Sequence, residues 1–231
     1  MRSYTAEKYR SLVEETTDPT LQRYMDEERS FIARIPGVDR RTIVDLGAGH
    51  GRVLGDLARL GERVIAIEIN PDMYVGLAQR AASFPEVTTI HGDVLELGRL
   101  LDGDLLVQPV FLILQNSIGT IEGDDRELLR VVRTQMEKFD GTLVLSLLRR
   151  RALPDWGMAM YASLREMVGD PDVENTDFAT GRFVTKSGYT SKWWSDAEIE
   201  AFKALGSVED ELFAQEYHLL RLGIRERGGT T

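Results

Sequence analysis

Between residues 42 and 148, five short apolar and β-branched runs alternate with stretches of helical periodicity, and this alternation constrains the fold more than any other feature. Thr42 to Leu46, Arg63 to Glu68, Val87 to His91, Val110 to Leu114 and Thr142 to Leu148 read as strands. Helical patterns lie between them, around Val53 to Leu60, over Pro71 to Ser83 and over Asp125 to Phe139. Strands joined through helices form right-handed crossovers and stack into a doubly wound parallel sheet, so the expected class is α/β. A chain of 231 residues, 42% hydrophobic, can build one such domain with a full core.

The flanks depart from this rhythm. Residues 4 to 35 carry apolar or aromatic side chains at Tyr9, Leu12, Val13, Leu21, Tyr24, Met25, Phe31 and Ile32, a spacing that predicts amphipathic helices broken near Asp18-Pro19. Residues 1–40 are therefore expected to form an amino-terminal helical lid. After the fifth strand, Pro154 to Val168 reads as a helix, and Asp177 to Trp194, with Gly181 and Gly188, reads as a hairpin. Together, residues 153–194 are expected to be a small inserted cap. Ser195 followed by Asp196 and Glu198 predicts a helix start, and Gly206 its end. Val208 to Ala214 and Tyr217 to Ile224 then read as two final, antiparallel strands.

Composition narrows the chemistry. With no cysteine, disulfides, thiolate metal sites and thiol nucleophiles are excluded. The net charge of −10 disfavours nucleic acid and anionic lipid as partners. No metal-ligand spacing is visible. There is no apolar run long enough for a membrane span and no leader-like start, so a cytoplasmic protein with no membrane partner is expected.

The segment that carries chemistry is Val44-Asp45-Leu46-Gly47-Ala48-Gly49-His50-Gly51-Arg52, between a strand and a helix. Its alternate glycines let the chain turn tightly and let a ligand lie against bare backbone. A dinucleotide fingerprint wants the third glycine one place later, where Arg52 stands. Asp45 would repel a pyrophosphate and hold an amino-bearing ligand. The next strand ends agree: Glu68 can accept from two ribose hydroxyls, Asp93 from an adenine amino group, and the fourth strand ends in Gln115-Asn116-Ser117. In an open α/β sheet such signals converge on the crevice at the carboxyl ends of the strands.

In this ordered set the chain resembles the class I S-adenosylmethionine-dependent methyltransferases, over about residues 40 to 150 and by pattern in the last two strands. The resemblance implies a Rossmann-like seven-stranded sheet with its last strand antiparallel, and S-adenosylmethionine as cofactor. It implies a cofactor site of Asp45, Gly47, Ala48, Gly49, Gly51, Glu68, Asp93 and Asn116, with Ile69 and Val94 beside the two acids. Tyr9, with Tyr4, would close over the methionine end or simply pack there. His50 stands where the family often has a small residue; His91 and His218 read as packing residues rather than catalysts.

For the acceptor, Arg149 in the run Arg149-Arg150-Arg151 is placed to meet an acidic group, or else to be a solvated turn. Tyr161, Tyr189 and Trp193, with Phe178 and Trp194, would wall a pocket in the cap or pack it. The expected activity is transfer of a methyl group to a small-molecule acceptor by in-line displacement, with no catalytic base assigned and the oligomeric state open. Asn116 is followed by Ser-Ile-Gly rather than a proline-aromatic run, which lowers amino-methylation of DNA, RNA or protein glutamine. The alternatives are a protein or tRNA methyltransferase and a catalytically silent cofactor-binding module.

Overall fold

A computed structural model describes residues 6–101, 106–121 and 125–224. Five parallel strands form as the apolar runs predict: β1 (Thr42–Leu46), β2 (Arg63–Glu68), β3 (Val87–His91), β4 (Val110–Ile113) and β5 (Thr142–Leu148). After a small separate hairpin, β6 (Arg182–Val184) with β7 (Thr190–Lys192), the sheet resumes with β8 (Ser207–Phe213) and β9 (Tyr217–Gly223). The order is β3-β2-β1-β4-β5-β9-β8, and β9 is antiparallel to both its neighbours. This is the seven-stranded sheet expected, with its switch point between β1 and β4, where the strand order reverses.

Helices cover both faces. On one lie α2 (Pro19–Ala33), α3 (Leu54–Leu60) and α4 (Pro71–Ala81), whose Leu21, Tyr24, Phe31, Leu54, Leu57 and Leu77 are buried in one core cluster. On the other lie α5 (Leu97–Leu100), α6 (Asp125–Phe139) and α9 (Asp196–Phe202). The expected break before Pro19 is real: Asp18 caps α2, accepting from the amides of Thr20 and Leu21 at 2.8 and 3.0 Å. Ser195 and Glu198 form a reciprocal capping box at the start of α9. The short α5 is not legible in the sequence pattern.

Two flanking segments differ from expectation. The stretch from Leu153 to Val168 is not one helix: a π-turn over Leu153–Gly157 leads into α7 (Met158–Ser163) and α8 (Arg165–Val168). Pro154 opens the turn, and Gly157 lies so close under the Trp193 ring that a Cβ there would stand 2.7 Å from it. At the amino terminus α1 (Ala6–Tyr9) runs into a second π-turn, Arg10–Glu14. This first part reaches the carboxyl ends of the strands through Tyr9, whereas α2 is mostly a core helix whose Tyr24 ring packs 4.6 Å from Tyr217 of β9 and which meets the β4 end through Glu28. Among the described residues no helix is long and apolar enough to cross a membrane.

Candidate functional site

At the carboxyl end of β1 the chain leaves Leu46 and turns through Gly47, Gly49 and Gly51, all at positive φ, +76°, +59° and +85°. The requirement is sharpest at Gly51, where a Cβ would also stand 2.9 Å from Leu77 of α4. The amides of Gly47 and Ala48 donate to Ile67 O, which lays the loop across the end of β2.

There Glu68 is buried, and its carboxylate is gripped by backbone: Oε2 accepts from Gly49 N–H at 2.8 Å and Oε1 from Asn70 N–H at 2.7 Å. Two amide donors orient it and leave each oxygen a further lone pair for ligand hydroxyls. Ile69, beside it, is 59% exposed and offers an apolar ledge. Asp93 caps a short 3-10 turn by accepting from Leu95 N–H, and Val94 is buried beneath it. Asp45 is buried at the end of β1. Burial, helped by the charges of Glu28 and Glu68 and opposed by Arg52, pushes its carboxyl up to about 7.

Opposite these, β4 ends in two consecutive left-handed residues, Gln115 at φ +50° and Asn116 at +57°. Tyr9 reaches in from α1 and its hydroxyl donates to Gln115 Oε1. Burial pushes that phenol up to about 12, so it remains a donor. Its ring packs 4.8 Å from His50 of the glycine loop, whose Nε2 faces Glu14 at 3.1 Å. Two residues not singled out in the sequence lie between these walls. Glu28 of α2 pairs with Arg52 at 2.5 Å, both side chains out of water, and Arg52 Nη1 is buried with no hydrogen-bond partner.

Arg149, Tyr161 and Trp193 do not line an open wall. Arg149 is fully buried, with Nε on Asp196 at 3.2 Å, Nη1 on Ala214 O at 2.6 Å and its guanidinium 3.7 Å from the Phe213 ring centroid. It is spent on joining β5 to α9 and the β8–β9 turn, which corrects the acceptor role expected of it. Arg150 and Arg151 likewise bond Ala179 O and Gln215 O. Tyr161 is stacked on Phe183 at 3.8 Å and accepts from Trp193 Nε1 at 3.3 Å, both rings buried. They belong to the same buried cluster as Tyr24 and Phe31 of α2, so the hairpin draws its apolar centre from the main core. Tyr189 and Phe178 are half-buried.

Asn116 is corrected similarly. Its Nδ2 donates to Lys192 O at 2.8 Å, and its Oδ1 accepts from Trp194 Nε1 at 2.8 Å and Leu148 N at 3.2 Å, so the amide clasps the cap rather than a ligand. His91 stacks on Tyr74 and bonds Ile69 O, and His218 is buried against Phe213, both as packing residues. Tyr4 lies outside the described residues.

The glycine turn, Glu68, Asp93 and the polar β4 end thus lie at the carboxyl ends of four adjacent strands, β1, β2, β3 and β4. Residues 43–134 match the family model described as a methyltransferase domain. Over 109 residues the chain is 30% identical to an ornithine lipid N-methyltransferase of Singulisphaera acidiphila, covering 46% of this chain and 57% of that protein. Over 69 residues it is 36% identical to a ribosomal RNA small subunit methyltransferase A of Acidobacterium capsulatum, covering 30% and 24%. The chain thus spans little more than half the length of these relatives, or less.

The fold is shared with the Burkholderia thailandensis 1,6-didemethyltoxoflavin-N1-methyltransferase, at 15% identity and TM-score 0.60, over 95% of this chain and 87% of that one. Over residues 43–134 the chain is similar to a methyltransferase domain, and the cofactor its sequence resemblance implies is S-adenosylmethionine. The residues present fit it: a glycine cradle without side chains, a backbone-oriented carboxylate, and a buried guanidinium nitrogen lacking an acceptor.

Proposed function

We propose that this protein transfers the methyl group of S-adenosylmethionine to a small-molecule acceptor by in-line displacement. The observation that carries the reading is Glu68, buried and oriented by the Gly49 and Asn70 amides at the end of β2. When bound, the cofactor supplies a methyl group already activated by its sulfonium. The chain's own task is then to align and to exclude water. Gly47 to Gly51 would bear the amino-acid end, Glu68 the ribose hydroxyls, and Asp93 with Val94 the adenine. Tyr9, closed on Gln115 and His50, would shut water out at the β4 end, where the acceptor is expected. Tyr189 and Phe178, half-buried in the cap, remain the aromatic candidates for acceptor contact.

The small-molecule preference is supported by the acidic charge and by the didemethyltoxoflavin enzyme among proteins of the same fold. Similarity to a ribosomal RNA methyltransferase favours the second reading, an RNA acceptor.

Calorimetry with S-adenosylhomocysteine and with NAD tests the cofactor assignment. Saturable binding of the first and none of the second is expected, and Glu68→Ala should weaken it by about 1.5 to 3 kcal/mol through lost charge-assisted bonds. Saturable NAD binding with no response to the methionine nucleoside would sink the reading, and so would a folded Glu68→Ala protein that binds like the parent.

A further inference from the structure

Glu28 is a carboxylate in a place where the fold asks for an apolar side chain. It lies on the core stripe of α2 with Leu21, Tyr24, Met25, Phe31 and Ile32, and it is 1% exposed. Taking a carboxylate out of water costs several kcal/mol unless every oxygen finds partners. Here they come from three different walls of the crevice. Oε1 accepts from Gln115 N–H at 2.6 Å and from the Ser146 hydroxyl of β5 at 2.5 Å, while Oε2 pairs with Nη2 of Arg52 on the glycine loop. Tyr24 completes the chain of bonds through Ser146.

Two consequences follow from these contacts. Gln115 holds a left-handed backbone that a residue with a side chain rarely adopts, and its amide is tied down by Glu28. The Arg52 guanidinium is held at one nitrogen by Glu28, while Nη1, equally buried, meets no acceptor at hydrogen-bonding geometry, although the Tyr9 hydroxyl lies nearby. A buried guanidinium donor left open matches a planar oxyanion, since the fork of Arg suits a carboxylate.

We propose that Glu28 is a positioning residue, which aims Arg52 Nη1 at a carboxylate of the bound ligand and holds the β4 end in register with it. The proposal rests on the methyltransferase reading. The carboxylate belongs either to the amino-acid end of the cofactor or to the acceptor.

The test compares two ligands that share nucleoside and thioether and differ in the amino-acid end: S-adenosylhomocysteine and 5′-methylthioadenosine. Affinities are measured by calorimetry for the parent, Glu28→Gln and the double variant Glu28→Gln/Arg52→Gln, which leaves no buried charge unpaired. If the cofactor supplies the carboxylate, both variants lose about ten- to hundred-fold in affinity for S-adenosylhomocysteine. Methylthioadenosine should stay within about two-fold, because Glu68 and Asp93 are untouched, and the double variant should be no worse than the single.

If the acceptor supplies it, the ratio of the two ligands stays put, but succinate binds saturably to the homocysteine-loaded parent and not to the double variant. Equal weakening of both ligands, an unmoved ratio without succinate binding, or a double variant that does not fold would make Glu28 a structural residue and overturn the proposal. A parent that binds neither nucleoside would instead remove the methyltransferase reading, and this proposal with it.

Discussion

At the residue scale, Asp45 has the most consequential environment. Its carboxyl rises from 3.8 to about 7, first because it is buried and then because Glu28 and Glu68 are near, against the pull of Arg52. A group raised above its unfolded value adds stability that is full below about pH 4 and is lost as pH climbs through 7. Ligand binding should run the other way, since an ammonium-bearing amino-acid end favours the ionised form. Between pH 6 and 8, affinity for S-adenosylhomocysteine should rise by up to about ten-fold while the thermal midpoint of the free protein falls. Asp45→Asn should flatten both profiles, and a parent whose affinity is level across that range would deny Asp45 the role.

This residue was legible in the sequence from its place before the glycines. Glu28 was passed over, although it is the one charge on the α2 stripe, because a stripe is normally read for its apolar members. The pairing of Glu28 with Arg52 was not legible, because 24 positions separate them and only the tertiary fold brings α2 over the glycine loop.

At the scale of elements, strand periodicity located the sheet well, since buried parallel strands must be runs of apolar residues and β1, β2, β3 and β5 begin and end where those runs do. The cap was harder to read. Its aromatic residues suggested a pocket wall, yet Tyr161, Phe183 and Trp193 are buried in one cluster with α2 and the sheet. A polar clasp adds to this apolar docking: Asn116, whose amide meets Lys192, Trp194 and Leu148 at once. Asn116→Ala would strand at least two of those buried groups at about 1 to 3 kcal/mol each, and would put alanine at a left-handed φ that asparagine tolerates better. Urea denaturation should show a loss of about 3 kcal/mol or more, and limited proteolysis should find new cuts between residues 171 and 192. Unchanged stability with an uncut cap would mean that the clasp contributes little.

For the molecule as a whole, the question is which half of the fold the acceptor meets. The family match ends at residue 134, before β5, the cap and the β8–β9 pair, so it bears on the cofactor half. The run Arg149-Arg150-Arg151 lies in the other half, where phosphate contacts would be sought. Arg149 is buried on Asp196, and the other two donate to backbone carbonyls. With a net charge of −10, association with a polyanion lacks the counterion release that gives RNA-binding proteins most of their non-specific affinity. With labelled cofactor, label should therefore pass into the low-molecular-weight fraction of a cell extract and not into its RNA. Mobility shifts with ribosomal RNA or tRNA at about 50 mM salt, where such binding is strongest, should show no saturable complex. A saturable complex whose affinity falls steeply as salt is raised, together with label in the RNA fraction, would transfer the assignment to the RNA reading, because no small-molecule acceptor accounts for both.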